Sequence, residues 1–162
     1  MASERALTGR PTSPRLPGFG YRGAFRYFLT LCTYERKPVF GGAWPYDETL
    51  IRLSRTAGKY DVAVLAYCFM PDHLHLLVEG DEEGDLAEFV RVFKQLTSYR
   101  FRREGRGALW QRSYYDRVLR ADEDAGAVVR YILNNPVRRR LVDDARDYPF
   151  LGSFVAPVDD WL

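Results

Sequence analysis

A chain of 162 residues, 46% hydrophobic and 15% aromatic, has material for one well-filled core but not two, and is too apolar to stay disordered. No apolar run approaches the roughly 20 residues that cross a bilayer, and charges and prolines occupy the N-terminus where a secretory signal needs an apolar stretch. A cytoplasmic protein with no membrane partner is therefore expected. A formal net charge of +2 does not demand a nucleic-acid partner, but its placement is suggestive. Nearly all the basic residues are arginine, clustered between Arg91 and Arg140, while acidic residues gather in separate runs such as Asp81 to Asp85 and Asp122 to Asp124. Arginine grips phosphate with a planar fork that lysine lacks; a solvated arginine-rich surface gives the same composition.

Residues 1–20 are rich in Pro, Gly, Ser and Arg and lack periodicity, so they read as a flexible basic arm. Arg5, Arg10 and Arg15 lie on it. One domain then spans 21–155, with 156–162 as a tail. The aromatic and β-branched segment 24–33 predicts a strand. Asp47 is a plausible N-cap for a helix carrying Leu50, Leu53 and Ala57 at helical spacing, which Gly58 should end. Residues 62–70 form a near-continuous apolar run of strand length, stopped at Met70-Pro71-Asp72. A second strand over 73–80 follows at once, so the two should pair antiparallel. Cys32 and Cys68 each fall in a predicted strand and read as reduced packing residues.

Asp85 with Glu88 resembles a capping box opening a helix over 86–103. Its apolar stripe is Leu86, Phe89, Val90, Phe93 and Leu96; Arg91, Lys94, Gln95, Ser98 and Arg102 lie on its other face. Residues 109–120 predict a loop entering a short strand that ends near Leu119. A helix with an acidic first turn should run over 121–135 and stop at Pro136, followed by a short basic helix over 137–142 and an irregular aromatic tail. The first six elements make a ferredoxin-like βαββαβ arrangement of the α+β class. It has an antiparallel sheet with helices on one face, plus a C-terminal tyrosine-bearing helix.

The chain has two histidines, His73 and His75. On a strand, side chains at i and i+2 share a face roughly 6.5 Å apart along the chain, so both imidazoles can converge on one divalent cation while Leu74 points the other way. A structural histidine pair has the same spacing, and a metal needs a third ligand. Asn135 can supply an amide oxygen suited to Mg²⁺ or Mn²⁺, and Tyr131, four residues earlier, shares its helix face. Equally, Asn135 could merely cap a helix ahead of proline and Tyr131 could be a core aromatic. Together these groups suit one reaction: a tyrosine hydroxyl, a weak nucleophile at neutral pH, attacking a phosphodiester polarised by a metal.

His73-Leu74-His75 resembles the His-hydrophobic-His signature of single-stranded DNA nickases, and Met70 to Val78 is similar to its form in single-tyrosine transposases. Trp110-Gln111, Tyr114-Tyr115-Asp116-Arg117 and Tyr131-Ile132-Leu133-Asn134-Asn135-Pro136-Val137 resemble blocks of the REP-associated tyrosine transposases, in the same order, over about 22–154. The resemblance implies His73 and His75 as metal ligands and Tyr131 as the nucleophile of a metal-dependent enzyme that cleaves and rejoins DNA through a 5′-phosphotyrosine. Asn135 stands where related transposases have a longer Gln ligand. Tyr114 and Tyr115 are rival nucleophiles. The implied partner is single-stranded or hairpin DNA, in this group a repetitive extragenic palindrome, handled by a nucleoid-associated monomer or homodimer. Its phosphates would be gripped by Arg91, Lys94, Arg102, Arg112, Arg117, Arg120 and Arg138 to Arg140, making binding salt-dependent. Tyr99 and Trp110 could stack on unpaired bases, with a core role equally open for Trp110. Two alternatives remain: a regulator that binds DNA without cutting it, and a metal-dependent phosphodiesterase that uses water.

Overall fold

The computed structural model describes residues 25–81 and 83–162. The basic arm over 1–20 lies outside the described residues. Five antiparallel strands form one sheet in the order β4-β1-β3-β2-β5. They are β1 (Arg26–Cys32), β2 (Val62–Met70), β3 (His73–Gly80), β4 (Tyr115–Val118) and β5 (Leu151–Gly152). The first four have the predicted ferredoxin-like order. The fifth has no signal in the sequence: two residues carry no period, and the strand exists only because Tyr67 and Cys68 pair with Gly152 and Leu151.

Alternation along the strands builds two cores. Tyr27, Leu29 and Leu31 of β1 and Leu74, Leu76 and Val78 of β3 face α1 (Ala43–Lys59) and α2 (Leu86–Arg103), whose Leu53, Ala57, Phe89, Val90 and Phe93 complete one cluster. Phe28 of β1 and Leu77 of β3 face the other way, against Val128, Val129, Ile132 and Leu133 of α3 (Ala125–Leu133). A bulge between Val64 and Ala66 exchanges the faces of β2. Before it Val64 joins the first core; after it Ala66, Cys68 and Met70 join the second. Burial on both faces explains why β2 reads as an unbroken apolar run. The helix pair α1 and α2 thus covers one face, as expected, and the tyrosine-bearing helix covers the opposite one.

Several boundaries differ from expectation. Helix α1 begins at Ala43 with Gly42 as N-cap, ahead of Asp47. Pro45 falls in the first turn, where its missing N–H has no partner to lose. The helix runs through Gly58 to Lys59, and Asp61 at φ 51° provides the left-handed reversal instead. Leu96 is 40% exposed; Thr97 and Phe101 continue the buried stripe of α2. Before α3 the acidic run supplies a cap and not a first turn: the Asp124 carboxylate accepts from the Gly126 N–H at 2.8 Å.

The helix bearing Tyr131 stops at Leu133, and a separate short helix, α4 (Asn135–Arg138), starts one residue later. Pro136 has no N–H to donate back along the chain, so the hydrogen-bond ladder is interrupted there. Asn135 therefore opens α4 and does not continue α3. Beyond it, the tail expected to be irregular closes the second core. The Tyr148 hydroxyl donates to the Phe69 carbonyl at 2.7 Å, and Val158, Trp161 and Leu162 pack against α3's cluster. Both cysteines are free thiols. Among the described residues no helix is long and apolar enough to cross a membrane.

Candidate active site

His73 and His75 sit on the face of β3 that looks toward α3, in register with Met70 and Cys68 of β2 and with Cys32 and Thr30 of β1. Their Nε2 atoms point at one another, 3.1 Å apart. The outer nitrogens are held separately: His73 Nδ1 lies 2.6 Å from the Asp72 carboxylate and His75 Nδ1 2.9 Å from the Thr30 hydroxyl. A carboxylate beside Nδ1 keeps the proton on that nitrogen and leaves the Nε2 lone pair directed inward. Two donors at about 2.1 Å from one cation and at right angles to each other would lie about 3.0 Å apart. The observed spacing therefore fits two ligands on one divalent ion.

Electrostatics favour the ligand form. Burial lowers the His73 pKa below 6.5, opposed in part by its bond to Asp72. Burial also holds His75 well below 6.5, reinforced by His73, Arg139 and Arg36. Both imidazoles are thus neutral at physiological pH, as metal ligation requires. Among the described residues no cluster of three or more His, Cys, Asp or Glu side chains could enclose a metal, so a third ligand from these residues would be a neutral oxygen such as an amide, a hydroxyl or a backbone carbonyl. Asn135 is buried in the first turn of α4. The hydrogen-bond partners of the imidazoles are Asp72, Thr30 and each other, and Asn135 is not among them.

Tyr131 projects from α3 onto the same side of the sheet. Its ring meets Phe28 edge-on at 6.3 Å, and Phe28 stacks on His75 at 5.4 Å, so Phe28 touches both the Tyr131 ring and His75. The Arg138 guanidinium lies 4.9 Å over the Tyr131 ring. The rival tyrosines part company. Tyr114 is buried in the core beneath α1 and α2, on the far face. Tyr115 pairs with Thr30 across β4 and β1 and packs against the same cluster as Tyr131.

Two positions with no role assigned to them from the sequence complete the site. Asp72 reads from the sequence as part of the turn and of the Met70 to Val78 block, with no role of its own, although it immediately precedes His73. Arg36 has no sequence signal at all. Its Nε bonds Asp72 at 2.9 Å and its Nη1 donates to Cys32 Sγ at 2.7 Å. Its reach depends on backbone: Glu35 and Arg36 take φ of 54° and 56°, a region sparsely used by non-glycine residues. The turn is fastened to the loop before β3 by Thr33 N–H to the Asp72 carbonyl and Phe40 N–H to the Pro71 carbonyl, each 3.0 Å.

The predicted phosphate contacts divide sharply. Arg138 and Arg139 come to the histidine face with α4. Arg91, Lys94 and Arg102 ride on α2, against the opposite face. Arg91 is engaged by Glu88 at 2.6 Å. Lys94 Nζ donates to the carbonyls of Gln111 and Arg112 at 2.8 and 2.9 Å, and Arg117 Nη1 meets both Glu123 oxygens at 2.8 Å. Arg112 and Arg120 are exposed. Trp110 is a core residue whose indole donates to Thr97 Oγ1 at 2.8 Å, while Tyr99 is 56% exposed.

Residues 23–135 match the family model described as IS200-like transposase. A Haemophilus influenzae protein assigned as a REP-associated tyrosine transposase is 26% identical over 153 residues, covering 83% of this chain and 86% of that protein. Among solved structures, the REP-associated tyrosine transposase bound to a REP hairpin superposes with a TM-score of 0.71 at 20% identity, over 86% of this chain and 82% of its own. A structure assigned as a transposase from Deinococcus radiodurans gives a TM-score of 0.52 at 26% identity, over 75% of this chain and 97% of its own.

Proposed function

The chain belongs to the IS200-like transposase family, and we propose that it cuts and rejoins single-stranded DNA beside a hairpin, using the Tyr131 hydroxyl as nucleophile. One observation carries this reading: two inward-facing Nε2 atoms 3.1 Å apart on the sheet face that also receives Tyr131. The family likeness, with the REP hairpin bound by a structurally similar transposase, supplies the substrate class. The phenol oxygen of Tyr131 attacks phosphorus, and the bond from phosphorus to the 3′ oxygen breaks. The phenol proton passes to solvent, and the departing oxygen takes up a proton to become a free 3′-hydroxyl. The DNA stays linked by a 5′-phosphotyrosine, so a later attack by a 3′-hydroxyl can reverse the step and no external energy source is required.

His73 and His75, with Asn135 as the candidate third ligand, are the residues that would hold Mg²⁺ or Mn²⁺. A divalent ion there supplies Lewis-acid polarisation of the scissile phosphate. The residues themselves exclude water and set orientation. Phe28 packs against both His75 and the Tyr131 ring, the Asp72 carboxylate holds the proton on His73 Nδ1, and Arg138 lies over the Tyr131 ring.

The test is a denaturing gel of the protein with single-stranded hairpin DNA, in Mn²⁺ or EDTA, for wild type and Tyr131→Phe. A metal-dependent, protease-sensitive DNA adduct in wild type only is expected. An adduct persisting in Tyr131→Phe transfers the role to Tyr115, the rival tyrosine that packs in the same cluster. Cleavage without an adduct identifies a hydrolase, and binding without cleavage identifies a regulator.

A further inference from the structure

A cleft of about 170 Å³ opens beside His73, with Arg36, Asp72, Arg139 and Leu141 in its wall. We propose that this cleft is a phosphate subsite holding one backbone phosphate of the unpaired strand, with Arg139 as its principal ligand. The proposal rests on the reading of the protein as a single-stranded DNA transposase and adds where that strand is held. It depends on neither a bound metal nor the identity of the nucleophile.

Charge is the first argument. Both oxygens of Asp72 are taken, one by His73 Nδ1 and one by Arg36 Nε, so that carboxylate is neutralised within the wall. Arg139 is exposed, and among the described residues no carboxylate pairs with it. The cleft thus keeps one uncompensated guanidinium in its wall. A cleft of one sign beside low-dielectric walls concentrates an anion, and a guanidinium fork matches two phosphate oxygens.

Placement is the second. Helix α4 ends in a Schellman arrangement: Leu141 N–H bonds the Pro136 carbonyl and Arg140 N–H the Val137 carbonyl, each at 2.9 Å. The left-handed position, usually glycine, is Arg140 at φ 57°. This termination stops the helix at Arg138, with Arg139 as its C-cap, and turns the chain so that Leu141 closes the cleft wall. On the other side, Arg36 stands on its own left-handed backbone. Both walls are therefore held by local conformations that persist only where surrounding structure enforces them. The volume admits one phosphodiester group, and the cleft's position beside His73 assigns it to the strand presented for cleavage.

The experiment measures binding of a fluorescent hairpin oligonucleotide with single-stranded flanks, in EDTA so that metal and cleavage play no part. Along the flank, each phosphate is replaced in turn by a neutral methylphosphonate. Wild type should lose about tenfold in affinity at one flank position. Arg139→Gln should show that loss with unmodified DNA, a salt slope shallower by about one, and no further loss at that position. A thermal melt matching wild type confirms that the variant is folded, and the wild-type scan stands without it. Unchanged affinity in Arg139→Gln, or a further full loss at every position, overturns the subsite. Failure of wild type to bind any hairpin in low salt overturns the transposase reading beneath it.

Discussion

At the scale of single residues, the site is a relay: Arg36 holds Asp72, Asp72 holds His73, the two imidazoles face each other, and Thr30 holds His75. The Asp72 carboxylate decides which nitrogen of His73 is free to bind a cation. Asp72→Asn should therefore lower Mn²⁺ affinity by roughly 10- to 100-fold, read by calorimetric titration, while leaving the fold intact; unchanged affinity would refute the positioning role. The depressed histidine pKa values also set a sign. As pH falls through 6.5 the unfolded chain protonates its histidines while the folded chain keeps them neutral. The unfolded state then binds more protons, and stability drops. The metal-free protein should lose melting temperature between pH 7 and about 5.5, and a His73→Gln, His75→Gln double variant should lose less. Equal losses in both proteins would discard the explanation.

At the scale of elements, local sequence signals succeeded where one residue type has one physical use. Asp85 accepts from the Glu88 N–H at 3.0 Å, as its spacing predicts, and the Pro-Asp turn joins β2 to β3. They failed where a partner distant in sequence completes the element. Strand β5 is such a case. A Cβ on Gly152 would stand 2.4 Å from the Tyr67 hydroxyl oxygen and 2.6 Å from its ring, so the glycine is required for the tyrosine to lie across it. Gly152→Ala should destabilise the protein by about 1–3 kcal/mol through overpacking, measured by denaturant unfolding. A neutral result would mean that the fifth strand adapts freely.

At the scale of the whole molecule, the sheet separates two kinds of basic surface that a sequence list runs together. Arg138 and Arg139 join the histidines, whereas Lys94 ties α2 to the segment ahead of β4. Burial lowers the Lys94 pKa to about 8, the mark of an ammonium withdrawn from water and given two backbone carbonyls in exchange. Lys94→Met should lower stability by about 1–3 kcal/mol, because those carbonyls lose their donor, and should leave DNA affinity in the remaining folded protein close to wild type. A large loss of DNA binding at unchanged stability would restore Lys94 to the nucleic-acid surface.

The residues alone determined the class and much of the order, because strand alternation, helical stripes and capping pairs act over a few neighbours. They also determined that His73 and His75 share one face, since the strand period of two admits nothing else. The tertiary structure alone decided which face that is. The β2 bulge, the packing of α3 through Phe28, and β5 all depend on contacts across the sheet. So does the placement of Arg36, carried to Asp72 by a left-handed turn that no pattern in its own neighbourhood announces. Proline at 136 was legible as a stop, but its consequence was not: it ends the hydrogen-bond ladder of the Tyr131 helix early, so Asn135 opens a second short helix whose C-cap, Arg139, lines the cleft beside His73.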